Sequence, residues 1–227
     1  MSVHATAIWQ RHDWLVPSAL IALSLVPSIA GGVRLAELST GAVITPANAR
    51  FFAAPLPIVL HILAVIPYGI LGALQFAPRF RRRHPTWHRR AGKALLGCAP
   101  ATALSGLWMT LFYPWPAGDG YALYVMRLVA GVAMLVSVLA GIAAIRRCDF
   151  RAHGEWMIRA YAIAMGAGTQ VLTHLPWFIF VGKPAEAPRA FLMAAGWVIN
   201  IIVAELVIAR GDRRAVLLPT TLMEKHA

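Results

Sequence analysis

Two histidines, His61 and His174, and one arginine, Arg127, fall inside three different long apolar runs of this sequence. An ionisable side chain at the centre of a bilayer-spanning helix costs roughly 2.5–3.5 kcal/mol, so each of the three demands a partner or a task. Counting along the runs puts all three about six residues from one end of their segments. At ~1.5 Å per residue that is the same depth, ~9 Å, below one membrane surface. Two neutral imidazoles facing one another across a bundle can serve as axial ligands of a b-type haem or hold Zn or Cu, and an arginine at that level can pair with a propionate. The alternative is structural: each imidazole donates a helix-to-helix hydrogen bond while Arg127 snorkels to the headgroups.

A second polar group gathers at the opposite surface. His84, His88, His153, Glu155 and Arg159 lie in or beside the basic loops, with Gln75 and Glu205 expected just beneath them. His88 and His153 enter two different helices at one level, so a metal, a haem edge or a quinone headgroup can be held between them. Glu155 and Arg159 are four apart and can pair on one helix face. The alternative is that histidines beside arginines in a loop are simply hydrated or cap helices. A two-haem arrangement fits poorly, because His153 and His174 are twenty-one residues apart. At ~1.5 Å per residue that is ~31 Å, the full hydrocarbon thickness.

These residues must be positioned by membrane helices. Of 227 residues 59% are hydrophobic and 13% charged, where a soluble domain carries roughly 25% charged residues. Apolar runs cover about 14–35, 53–76, 94–113, 121–145, 156–181 and 191–209, each long enough to cross ~30 Å of hydrocarbon. The expectation is an all-α integral membrane bundle of about six transmembrane helices forming one domain over 1–227, with a polar tail over 211–227. The prolines inside these runs do not veto helices, because bundled neighbours can satisfy the freed backbone groups.

The net charge of +12 has a topological cause. Lys and Arg on one side of the alternating loops number fifteen against four on the other (Arg34, Arg50, Lys183 and Arg189). The positive-inside bias then puts both termini in the cytoplasm of a bacterial inner membrane, with the basic loops against anionic headgroups. Nucleic acid is not expected as a partner, since no recognition helix, zinc-finger spacing or RNA-binding aromatic motif is present. Cys98 and Cys148 form neither a CxxC site nor a disulfide framework.

Gly72-Ala73-Leu74-Gln75-Phe76, then Arg81-Arg82-Arg83-His84-Pro85 with Trp87-His88-Arg89-Arg90-Ala91-Gly92, and His153 leading into Trp156-Met157-Ile158-Arg159-Ala160-Tyr161, resemble the bacterial membrane family catalogued as domain of unknown function 2306. The resemblance covers about residues 55–210 and implies a polytopic membrane fold without implying an activity.

Other polar positions weigh toward packing. Trp108, Trp115, Trp177, Tyr113 and Tyr121 sit where an aromatic belt belongs. Gly166 and Gly168 with Ala162, Ala164 and Ala167 give the fifth segment a small-residue face for close helix contact. Asn200 and Glu205 read as polar glue or a substrate contact. No Walker loop, nucleophile elbow, HExxH or paired-carboxylate motif supports a hydrolase or ATPase.

The residues therefore point first to a redox or cofactor-binding membrane protein, using b-type haem, a metal or a quinone. A small-molecule transporter with Arg127, Gln170, Asn200 and Glu205 along a polar path is the second reading, and a non-catalytic scaffold or sensor the third. The first segment also imitates a signal peptide, with Ser28-Ile29-Ala30 before Gly31, but its apolar character continues to Leu35, as in an uncleaved anchor. The mass of the intact purified protein checks this: the full-length mass is expected, and a mass lacking the first thirty residues would remove one helix from the bundle.

Overall fold

A computed structural model describes the backbone of residues 3–223 and the side chains of residues 14–211. The described residues form nine helices and no strand: α1 (Val3–Thr40), α2 (Ala49–Ala53), α3 (Pro55–Gln75), α4 (Pro78–Arg83), α5 (Pro85–Phe112), α6 (Tyr121–Arg146), α7 (Phe150–Ala164), α8 (Gly166–Phe180) and α9 (Glu186–Met223). Five are long and apolar enough to cross a membrane, over Trp14–Thr40, Pro55–Gln75, Pro85–Phe112, Tyr121–Arg146 and Glu186–Gly211. The fold is an all-α membrane bundle.

Several boundaries differ from the sequence reading. The first helix runs on to Thr40 and the third begins at Pro85, because proline at the first helical position starts a helix where a basic, polar turn hides it from an apolar-run criterion. The stretch read as a polar tail from 211 is helical in its backbone to Met223. The charged side chains before Trp14 and after Gly211 that entered the charge count lie outside the described residues, as do residues 224–227.

The largest departure is in the fifth segment, which breaks at Met165 into two helices of fifteen residues each. The chain stays helix-like through the break, with Met165 N–H donating to the Tyr161 carbonyl (2.9 Å) and Thr169 N–H to the Met165 carbonyl (3.2 Å). Glycines on the far side explain the change of direction. A Cβ at Gly166 would overlap the Trp197 indole, and one at Gly168 would overlap the Leu23 carbonyl oxygen on α1. Only hydrogen at these two positions lets α8 lie against both α9 and α1. Asn200 spans the break from α9: its Nδ2 donates to the Ala162 carbonyl (3.0 Å) and its Oδ1 accepts from Thr169 Oγ1 (2.7 Å). A carbonyl loosened by the break is thereby satisfied, as a low-dielectric setting requires.

Round the bundle, α1 packs on α3, α3 on α5, α5 on α6, α6 on α7, α7 on α9, α9 on α8 and α8 back on α1. The ring closes differently in its two halves. Near the basic loops α7 fills the centre against α6 and α3, whereas beyond Met165 the chain has swung to α1 and leaves α6 behind. Tyr68, Ala99, Ala103, Met134, Val138, Ala160, Tyr161 and Met165 make the core around that point. The Tyr161 hydroxyl donates to the Gly69 carbonyl at 2.6 Å, with its ring pressed on Gly72. Large apolar side chains such as Val129, Val136, Leu172, Phe191 and Ile202 face outward along the spans, as contact with lipid demands.

A Cβ at Gly72 would lie 2.6 Å from Tyr161 Cε2, whereas one at Gly97 meets nothing within 4 Å. Gly72→Val is therefore expected to destabilise the detergent-solubilised protein by roughly 1–3 kcal/mol through overpacking. Gly97→Ala should leave its thermal melting unchanged or slightly raised, since alanine is the better helix former.

Candidate functional site

The swing of α8 away from α6 leaves a cavity of about 430 Å³ in the half of the bundle remote from the basic loops, within the range of roughly 300–1,000 Å³ typical of small-molecule sites. Val65, Met134, Ile163, Ala164 and Trp197 make its depths apolar, and its mouth lies under the 114–120 turn.

His61 stands in its wall. Its Nδ1 lies 3.1 Å from the Thr102 carbonyl and 3.1 Å from Ser105 Oγ, on α5. The Ser105 hydroxyl spends its own hydrogen on the Ala101 carbonyl (2.5 Å). Both neighbours of Nδ1 are thus acceptors, so Nδ1 carries the ring proton and Nε2 keeps a lone pair. A ring oriented through Nδ1 to a backbone carbonyl is the usual arrangement of an imidazole whose Nε2 binds a metal or accepts a proton. Thr102, also a residue of the cavity wall, has its Oγ1 buried without a hydrogen-bond partner.

Asp119 closes the mouth. It sits in the turn between α5 and α6, its side chain only 2% exposed, with Oδ2 accepting from Arg127 Nη1 (2.5 Å) and Oδ1 from Arg189 Nε (2.7 Å). One carboxylate thereby ties α6, the first turn of α9 and the turn itself together. Gly120 beside it is needed for fit, since a Cβ there would overlap the Glu186 carboxylate. Arg50, from α2, completes the mouth. Its guanidinium lies 4.6 Å above the Phe51 ring, while Arg34, paired with Glu37, lies 4.5 Å from the same ring. Burial pulls Arg50 below the ordinary arginine value, the Asp119 carboxylate opposes that, and the Arg127 and Arg34 cations reinforce it. The guanidinium stays protonated at any accessible pH. Tyr113 also borders the mouth, its hydroxyl donating to the Ala54 carbonyl (2.6 Å).

The residues singled out from the sequence divide between several places. His61, Arg127 and Gln170 all line the cavity. His174 is not in its wall: it is buried on α8 with Nδ1–H donating to the Gln170 carbonyl of its own helix at 2.7 Å. Facing imidazoles from α3 and α8 would need those helices side by side, but α3 packs on α1 and α5, and α8 on α9 and α1. Gln170 reaches across to the Met193 carbonyl (3.0 Å), Asn200 bridges the break, and neither Asn200 nor Glu205 borders the cavity.

At the basic end, His153 donates from Nδ1 to the Gly141 carbonyl (2.9 Å), which fixes α7 against α6. His88 lies within electrostatic range of His153. The Nδ1 of His88 and the Nε2 of Gln75 are buried without hydrogen-bond partners. The Glu155–Arg159 pair that the spacing allows is not the one formed. Arg159 instead grips Glu205 of α9 with two bonds, 2.6 and 2.9 Å, and covers the Trp156 ring at 4.9 Å, while Glu155 pairs with Arg151. A bidentate fork to a neighbouring helix outcompetes an exposed i,i+4 pair. Among the described residues no cluster of three or more His, Cys, Asp or Glu is placed to hold a metal ion.

Sequence reasoning passed over Asp119, Arg50 and Arg189 as site residues. The available signal was an acid held between Gly118 and Gly120 at the end of the bundle where Arg34, Arg50, Arg127 and Arg189 have few counter-ions.

A polytopic helical membrane protein with a cavity lined by residues of one half of its bundle is thus the class defined by the fold. Over residues 58–208, about two thirds of its length, the chain matches the family described as "Predicted membrane protein (DUF2306)", and it belongs to that family. No curated protein and no solved structure shows significant similarity to it.

Replacing Asp119 by Asn keeps the shape and removes the charge that two arginines share. Because both arginines are partly exposed, the expected loss is about 1–3 kcal/mol, less than for a fully buried ion pair. It is to be read as a lower thermal midpoint of the purified protein at low ionic strength.

Proposed function

We propose that this chain is a membrane cofactor-binding protein that seats a lipophilic ring compound in the cavity beneath Asp119, a b-type haem in the first place and a quinone in the second. The observation that carries this reading is His61, an imidazole oriented by a backbone carbonyl so that Nε2 keeps its lone pair, in the wall of an otherwise largely apolar cavity. That nitrogen suits the iron of a haem as an axial ligand, or the hydroxyl of a quinol as a hydrogen-bond acceptor. The apolar depths around Met134 and Ile163 suit a ring system, and Arg50 and Arg127 at the mouth suit propionates. His174 is left as a structural residue of α8.

On the positive-inside argument the basic end with α4 faces the cytoplasm of a bacterial inner membrane, in contact with anionic headgroups, and the cavity opens on the opposite side.

The test is an absorption spectrum of the purified protein, oxidised and dithionite-reduced, with titrations of hemin and of a short-chain quinone followed by thermal melting. The expected result is a Soret band that shifts on reduction, or a quinone-dependent rise in melting point, lost in His61→Ala while the helical content is kept. A colourless protein whose melting point ignores both compounds would overturn the proposal. Passage of a solute along the broken fifth span would then become the better reading, because a discontinuous helix bordering a cavity is also how transporters form their sites.

A further inference from the structure

Around the cavity mouth four arginines, Arg34, Arg50, Arg127 and Arg189, face three carboxylates, Glu37, Asp119 and Glu186. Asp119 is buried and both its oxygens are engaged, one by Arg127 and one by Arg189. Glu37 is taken by Arg34. Arg50 borders the cavity beside them, stacked on Phe51; the Asp119 carboxylate acts on it from a distance, but among the described residues it makes no ion pair of its own. A guanidinium presents five donors in a planar fork, and a single ring face uses none of them. The same cavity is lined by apolar side chains and by Tyr113 and Tyr124.

Resting on the cofactor-site reading above, we infer that the cavity selects a ligand carrying a carboxylate on a lipophilic body, and that Arg50 is the residue that receives the carboxylate while the body lies inward past His61. A carboxylate at that point meets the fork of Arg50 in the geometry that favours two parallel hydrogen bonds, and it neutralises a cation crowded by Arg34 and Arg127. A neutral headgroup gains neither. Two kinds of molecule share this chemistry, a haem through its propionates and a long-chain fatty acid. The arrangement of His61 and the carboxylate dock, separated along the wall of one cavity, serves either.

The full-length protein in detergent, titrated with matched pairs of ligands, tests the inference. One pair is hemin and its dimethyl ester, the other palmitate and hexadecanol; binding is followed by absorbance or by displacement of a fluorescent fatty acid. The acid of at least one pair is expected to bind about ten- to a hundredfold more tightly than its neutral partner, the range for a charge-assisted bond. Arg50→Gln should erase that preference and Arg50→Lys should keep part of it. A preference confined to the hemin pair identifies a haem propionate, and one confined to the palmitate pair a fatty acid. Equal binding of acid and neutral partners by the unaltered protein overturns the carboxylate dock and leaves the cofactor site standing, a comparison that does not depend on any variant folding. Failure of all four compounds to bind overturns the dock and the cofactor site together.

Discussion

The constraint on which the cavity depends is the close approach of α8 to α1 and α9 through Gly166 and Gly168. A straight fifth span would continue α7 along α6 and fill the space beneath the 114–120 turn. Two hydrogens in place of two side chains let Leu23 and Trp197 come close enough to draw the helix aside after Met165. Asn200 then removes the main objection to a broken helix in an apolar medium, a loosened carbonyl without a partner. The break, the small residues and the buried amide are one device, and His61 borders open space because of it.

The two ends of the bundle use charge in different ways. At the basic end the cations are many and mostly exposed, and the Arg159–Glu205 fork fastens α7 to α9 at the bundle's edge. At the other end few cations converge on one buried carboxylate, which joins a turn and two helices. In a low-dielectric setting such a shared carboxylate is held tightly, because withdrawing it would strand two guanidinium groups. The turn over the cavity is therefore anchored by electrostatics, and its fit against Glu186 depends on Gly120.

Much of the fold was legible from apolar runs alone, since a run long enough to cross hydrocarbon has few alternatives to a helix. The break at Met165 was not, because α7 and α8 together read as one apolar stretch and glycine is common in membrane helices without kinking them. The small-residue face was seen, but its effect depends on Leu23 and Trp197, which are remote in sequence. For the same reason His61, Arg127 and His174 could be placed at one depth while the rotation of their helices stayed open. Two of the three share the cavity wall and the third turns to its own backbone. Glu155 and Arg159 illustrate the complementary failure: spacing found a possible local pair, and a better partner lay on another helix.

The stretch that matches the family begins within α3 and ends within α9. It contains His61, its partners Thr102 and Ser105, the break with Asn200, and the whole Asp119–Arg127–Arg189 clamp. Leu23, Arg34 and Arg50 lie ahead of it. The cavity is thus assembled from two sources: its imidazole, apolar depth and closing turn come from inside the matched region, and Arg50, the arginine at its mouth without an ion pair among the described residues, comes from α2. The helix that carries Arg34, α1, is also one of the two that α8 packs against. The surroundings of the cavity mouth and the packing of α8 are thereby linked through one helix.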